Sequence, residues 1–324
     1  MYLDIWQTKS ETDNLKSVQT FTWILGVTFL LLAPPRFEVS ASDAHENGSD
    51  QLVSTGWLSE HLQDSSLVIL QVGGKEEYET GHIPGAQLLP IMEFIEQSAG
   101  GLTHEFPSLE QLVGACESLG VTNTSRIVLY SGSDRIAVVA RLYLTLDYLG
   151  MGDRTSILDG GLPQWQTENL PLSKEPSERG RSTFHPVVND SVLVGAAWIM
   201  QNLKNPNVVL IDARPESHYI GKSDDHDWDR PGHIAGAFSL PFVNIVSDEV
   251  SGRIGDPDRL RDMFLESGAK QGSLIVTYCN TGIWACPVYV AAKYAGYEAH
   301  FYDGGYEEWN SDESLPVIAP VRME

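Results

Sequence analysis

Cysteine, basic residues and long apolar runs are all scarce in this chain, and each shortage closes off a class of protein. Three cysteines, Cys116, Cys279 and Cys286, stand among 324 residues. An odd, small number makes no disulfide framework and leaves at least one thiol for burial or for chemistry. Lysine and arginine total 21 against 44 acidic residues, a formal net charge of -23. A surface of that sign repels nucleic acid and anionic membranes, so neither is an expected partner. An anionic substrate would need a local cluster of donors acting against the global field. The apolar run Phe21 to Ala33 has thirteen residues, short of the ~20 that span a bilayer as a helix. Lys9 and Lys16 precede it and Val39-Ser-Ala-Ser42 follows. Residues 1–41 are therefore expected to be an export signal, with a membrane anchor as the alternative. The expected location is exported, periplasmic, with membrane contact only transient and through that segment. The front of the segment is atypical in carrying Asp4, Glu11 and Asp13.

What is present is a repeat. Residues 68–95 and 208–246 both run from an apolar strand through a tyrosine-bearing polar stretch to Gly-His-Ile-x-Gly-Ala, a second short strand and a proline. The second copy carries a polar insertion, Gly221 to Arg230, expected as a surface loop. Ser108 with Gln111 has capping-box spacing, and Asp256-Pro257 offers an N-cap followed by a first-turn proline. Arg126 to Tyr130 and Leu274 to Tyr278 are short apolar strands, each followed by a loop and an alanine-rich helix. Ile157-Leu-Asp-Gly-Gly161…Trp165 mirrors Phe301-Tyr-Asp-Gly-Gly305…Trp309. Short, continuously apolar strands alternating with helices predict a parallel sheet covered on both faces, an α/β fold. The expected domains are 50–172 and 187–320, joined by a linker over 173–186 rich in Pro, Ser, Glu and Arg. Function in such sheets gathers at the carboxyl ends of strands, and Tyr278-Cys279 is such an end.

From there the chain reads Cys279-Asn-Thr-Gly-Ile-Trp284 before entering a helix. A thiol at a helix N-terminus is held near unsatisfied N–H groups, which raises the reactive thiolate fraction. Gly282 permits the tight turn that aims successive N–H groups inward as an anion nest. A persulfide on Cys279 carries its charge on the outer sulfur, where such donors would meet it without a metal.

Both halves resemble rhodanese domains. Tyr78-x-x-x-His82-Ile-Pro-Gly-Ala86 is similar to the family's N-terminal signature. Ala299-x-x-Tyr302-Asp-Gly-Gly-Tyr-Glu-Glu-Trp309 is similar to its C-terminal one, with Tyr306 where Trp or Phe is usual. The resemblance spans roughly residues 50 to 320. It implies two tandem rhodanese-like domains, each with a mainly parallel five-stranded sheet flanked by helices on both faces. It further implies sulfur transfer through Cys279, with the loop Cys279, Asn280, Thr281, Gly282, Ile283 and Trp284 wrapping the transferred sulfur. The implied partners are a small anionic sulfur donor and a thiophilic acceptor such as cyanide or a thiol, or a persulfide-accepting protein. No cofactor and no metal are implied. Thiosulfate is the expected donor ahead of 3-mercaptopyruvate, although the basic residue of thiosulfate users is missing at position 281 and so is the Gly-Ser pair of mercaptopyruvate users.

Arg214 and Arg230 are candidate ligands for a sulfonate or carboxylate, with structural ion pairs as the alternative. Asp212 is expected to be buried, holding Arg214 or the loop. His218 stands where many family members have a further arginine, and a neutral imidazole binds anions less well. His82 and His233 occur in both copies, which argues for structural roles. Trp284, where the main enzymes have threonine, should narrow and dry the pocket. Ser131 replaces the cysteine in the first copy, so that copy is expected to be silent; no glycine pair around it suits a serine hydrolase. Phosphatases of related fold need an arginine six residues after the cysteine, and that position is Ala285. Cys286 is a packed thiol or a resolving one, and Cys116 belongs to a helix face with Leu112 and Leu119. His226 and His233 near Asp224, Asp225, Asp227 and Asp229 are read as part of a solvated loop.

Overall fold

In a computed structural model, residues 51–95, 102–133, 136–223, 229–248 and 252–319 are described. The expected export segment and the stretch Asp224 to Trp228, with His226, lie outside them. Among the described residues no helix is long and apolar enough to cross a membrane.

Among the described residues, ten of fourteen strands make two five-stranded sheets. The first contains β1 (Leu52–Val53), β2 (Leu67–Val72), β3 (Gln87–Leu88), β4 (Arg126–Ser131) and β5 (Thr155–Leu158), ordered β1-β5-β4-β2-β3. The second contains β6 (Leu193–Val194), β7 (Val208–Asp212), β8 (Phe238–Ser239), β9 (Leu274–Tyr278) and β10 (Glu298–Tyr302), ordered β6-β10-β9-β7-β8. Every pairing within these sheets is parallel. The central strands are buried along nearly their whole length because helices cover both faces, which explains runs such as Leu-Val-Ile-Leu-Gln-Val in β2. Register is equivalent in the two copies: Gln71 lies beside Tyr130, and Asp212 beside Tyr278.

The caps form as their residue types require. Ser108 and Gln111 make the reciprocal capping box that opens the helix Leu109–Ser118. The Asp256 carboxylate accepts the N–H groups of Asp258 and Arg259 at the start of Pro257–Glu266.

The core has three parts. One covers the outer face of the first sheet, with Leu58, Leu162 and Trp165. Another covers the outer face of the second, with Ile199, Tyr306 and Trp309. Between them one continuous cluster runs from the inner face of the first sheet to that of the second. The helices Ile136–Tyr148 and Ala285–Tyr294 face each other across this shared core. Polar ties cross with them: Asp147 of the first helix accepts from the Tyr289 hydroxyl at 2.7 Å and pairs with Lys293 of the second.

The segment expected as a linker is stitched to the first domain. The Arg179 N–H donates to the Gln87 side chain at 3.2 Å, Arg181 pairs with Glu117 at 2.7 Å, and Phe184 is buried in the shared core. Truncating Phe184 to alanine is expected to cost about 3–5 kcal/mol, read as a lower urea midpoint. An unchanged midpoint would contradict this packing.

Candidate active site

β9 delivers Cys279 to the carboxyl edge of the second sheet, and the loop 279–284 carries the chain into the helix Ala285–Tyr294. The Gly282 N–H donates to Cys279 Sγ at 3.2 Å. Gly282 has φ +92°, a backbone conformation that side-chain-bearing residues rarely adopt. The loop's carbonyls are tied elsewhere. Cys279 O accepts the Tyr306 N–H at 2.8 Å and Asn280 O accepts that of Glu307 at 3.2 Å, both from the start of the helix Gly305–Ser311. That approach requires a glycine at 305, where a Cβ would lie 2.5 Å from Asn280 O. With carbonyls drawn off, what borders the sulfur includes a peptide donor, the arrangement an anion needs. Cys279 is 2% exposed, so the approach to its sulfur is narrow. Trp284 contributes to that enclosure, stacking on Phe242 at 6.0 Å and meeting His218 edge-on at 6.1 Å.

Beneath the loop lies a buried charged brace. Arg214 donates to both Asp212 oxygens, to Asn280 Oδ1 at 3.3 Å and to Gly232 O at 2.7 Å, with no exposed side chain. The Tyr278 hydroxyl donates to Asp212 Oδ2 at 2.6 Å. Burial, and then the Asp212 carboxylate, push that phenol well above its ordinary pKa, so it remains a donor. Arg214 therefore holds the loop through Asn280 and is not placed to bind a donor's oxygens. Arg230 is likewise engaged, its guanidinium donating to the carbonyls of Trp309, Asn310, Asp312 and Leu315. Both arginines were candidates for anion binding; the structure instead gives them acceptors within the protein. His218 is buried, its Nδ1 3.5 Å from the Asn280 amide nitrogen and its Nε2 3.0 Å from Ser223 Oγ.

The first domain enters the site through residues that the sequence reading passed over. Arg141, on the helix Ile136–Tyr148 and wholly buried, donates to Gly282 O at 3.1 Å, to Asp303 Oδ1 at 2.8 Å and to His104 O at 2.8 Å. Its guanidinium lies 4.0 Å from the centre of the Phe106 ring. The signal was there: an arginine set among Ala, Val and Leu in a mostly apolar helix demands a buried acceptor. His104 carries φ +61° and places its Nδ1 3.2 Å from Thr281 Oγ1. The Thr103 N–H donates to Glu307, and that of Phe106 to Asp303. Nothing in the spacing of residues 103–106 announced this crossing.

The remaining expectations divide simply. The His82 ring nitrogens lie against the carbonyl oxygens of Tyr78 and Glu175 at 2.9 and 3.0 Å, and His233 Nδ1 against that of Tyr219 at 2.8 Å, each ring stacked on a tyrosine, which are structural contacts. Cys286 sits within its helix with its S–H directed to Gly282 O at 3.3 Å, and burial pushes its thiol up. Cys116 is packed in the core, its thiol pushed up to about 12 by burial. Among the described residues no group of three or more metal-ligating side chains gathers.

Two parallel α/β domains of one repeat, the second with a buried thiol set against a peptide donor at a strand end, are what the described residues define. The family model for the rhodanese-like domain matches residues 54–168 and again 195–312. The chain belongs to the rhodanese family, as a tandem-domain member. It is 28% identical over 274 residues to thiosulfate sulfurtransferase of Rattus norvegicus, covering 80% of this chain and 91% of that protein. It is 29% identical over 282 residues to 3-mercaptopyruvate sulfurtransferase of Escherichia coli K12, covering 83% and 98%. The solved structure of SseA from Escherichia coli, a 3-mercaptopyruvate enzyme, superposes with a TM-score of 0.67 at 27% identity, over 79% of this chain and 98% of that one. Its homologues over most of the chain are thus sulfurtransferases, with both donor names at similar identity.

His104 gives a pH test. Burial first, and the Arg141 charge after Thr281's opposing hydrogen bond, hold its pKa below the ordinary 6.5. A histidine so depressed stabilises the fold fully above pH 6.5 and loses that contribution as pH falls through its folded value. Wild type is therefore expected to lose more thermal stability than His104→Gln between pH 7.5 and 5.5. Equal losses would sink this assignment.

Proposed function

We propose that this protein moves sulfane sulfur as a persulfide on Cys279, from a small anionic donor of the thiosulfate or 3-mercaptopyruvate kind to a thiophilic acceptor such as cyanide or a thiol. The Cys279 thiolate attacks the donor's outer sulfur. A bond forms between the two sulfurs, the donor's bond to that sulfur breaks, and sulfite or the enolate of pyruvate leaves with the electron pair. The acceptor then attacks the outer sulfur of Cys279–S–S⁻, and the sulfur–sulfur bond breaks to return the thiolate. Cyanide leaves as thiocyanate. The charge on the outer sulfur persists between the half-reactions, and holding it is the loop's task.

The observation that carries this reading is the Gly282 N–H on Cys279 Sγ, with the Cys279 and Asn280 carbonyls bonded elsewhere. The family's sulfurtransferase members support it. With Arg214 and Arg230 engaged inside the protein, donor recognition falls to loop N–H groups and to Thr281. Thiosulfate remains the donor we favour; the loop itself carries neither the basic residue of thiosulfate users at position 281 nor the Gly-Ser pair of mercaptopyruvate users. Ser131 in the first copy carries no sulfur, since a hydroxyl is too weakly acidic for that role.

Two measurements test the proposal. Intact mass after incubation with donor is expected to rise by about 32 Da, one sulfur atom, and Cys279→Ser should abolish both that gain and thiocyanate formation. Turnover by the serine variant would end the proposal. Parallel assays are expected to give a higher kcat/KM with thiosulfate than with 3-mercaptopyruvate, and the reverse order would correct the donor. Loading once without turnover on small acceptors would mark a carrier that serves a protein partner.

A further inference from the structure

We propose that Arg141, supplied by the domain without a reacting thiol, is a positioning residue for the sulfur-binding loop of the other domain. The inference rests on Cys279 being the sulfur carrier. Three loop carbonyls are drawn off by hydrogen bonds: Cys279 O and Asn280 O by N–H groups of the same domain, and Gly282 O by Arg141. The third is the one the second domain does not hold with its own backbone; its other donor is the weak S–H of Cys286 at 3.3 Å.

Gly282 is the hinge of the nest. Its N–H is the donor on Cys279 Sγ, while its carbonyl belongs to the next peptide unit. Glycine has no Cβ to limit its rotation, so the orientation of that next peptide needs an outside partner. In a trans peptide the C=O and the following N–H point in opposite directions. Holding Gly282 O on Arg141 therefore turns the Ile283 N–H away from Arg141 and keeps a negative carbonyl end from swinging toward an anionic sulfur.

The arm that does this is itself fixed. Asp303 Oδ1 at 2.8 Å supplies the counter-charge, His104 O a further acceptor at 2.8 Å, and the Phe106 ring a face at 4.0 Å. A planar fork suits three divergent acceptors in a way that an ammonium does not. Counting back nine residues from the glycine after each helix, Gly150 and Gly296, gives Arg141 in one copy and Pro287 in the other. The second domain does send Arg253 across to Asp159, the counterpart of Asp303, at 2.9 Å, but among the described residues that arginine makes no hydrogen bond to the loop at Ser131.

The test uses the full chain and the pH profile of iodoacetamide alkylation at Cys279, followed by peptide mass, which needs no sulfur donor. Arg141→Gln is expected to move that profile to higher pH by about one unit, the effect of weakening one hydrogen bond to a charged group. Turnover with thiosulfate should fall roughly 10- to 100-fold, mainly in kcat. Lys293→Met, which loosens the same helix pair without touching the loop, is expected to lower Tm and leave the profile at the wild-type position. Should Arg141→Gln fail to fold, Arg141→Lys keeps the charge without the fork and is expected to show a shift in the same direction. A wild-type profile in the folded variant, or an equal shift in Lys293→Met, would overturn the proposal. If no donor loads wild-type Cys279, the sulfur-transfer reading fails, while the alkylation profile still decides the role of Arg141.

Discussion

A peptide loop becomes a site for an anion only when its carbonyls are turned out and held there. Each unit that offers an N–H on one side presents an equally strong acceptor on the other, and an unrestrained loop would expose both to the sulfur. Here the partners are specific: the first N–H groups of the helix Gly305–Ser311 for Cys279 and Asn280, and a guanidinium for Gly282. The glycines at 282 and 305 follow from the same constraint. One needs a positive φ, and the other admits a backbone approach that a Cβ would block.

The two copies differ where this constraint acts. The strand-end tyrosine of each accepts an isoleucine N–H at 3.2 Å and donates to the neighbouring strand. In the first copy the acceptor is the neutral Gln71, and Gly73 stands where the second has Arg214. In the second it is Asp212, whose charge is paired with Arg214 and passed to Asn280 of the loop. A buried ion pair is a poor source of net stability, because desolvation offsets the attraction. Its presence only beneath the cysteine-bearing loop fits a role in fixing geometry there. The first domain lends Thr103, His104, Phe106 and Arg141 to contacts with that loop and its neighbours.

Most of the fold was legible in the chain. Two apolar strand patterns, two glycine-rich turns before a tryptophan and two caps in the same order define tandem α/β units, and burial on both faces makes β2 and β9 read as mostly apolar runs without alternation. The position of Cys279 was legible because an apolar strand followed by a loop, a glycine and a helix fixes where that thiol lies in the fold. The arginines were open to both readings for a physical reason. Guanidinium groups bind carbonyls and carboxylates of the protein with the same geometry they offer a ligand. Residue type and position in the strand cannot tell the two apart.

The sequence by itself determined the domain repeat, the sheet class and the strand-to-helix loop that carries Cys279, since these rest on local pattern and on residue chemistry. Only tertiary structure decided what meets that loop. Arg141 and Gly282 lie 141 residues apart in the chain, and His104 and Thr281 lie 177 apart. They meet because the helices Ile136–Tyr148 and Ala285–Tyr294 share one buried core. Contacts across such a core depend on how two surfaces dock, and no periodicity within either domain records that.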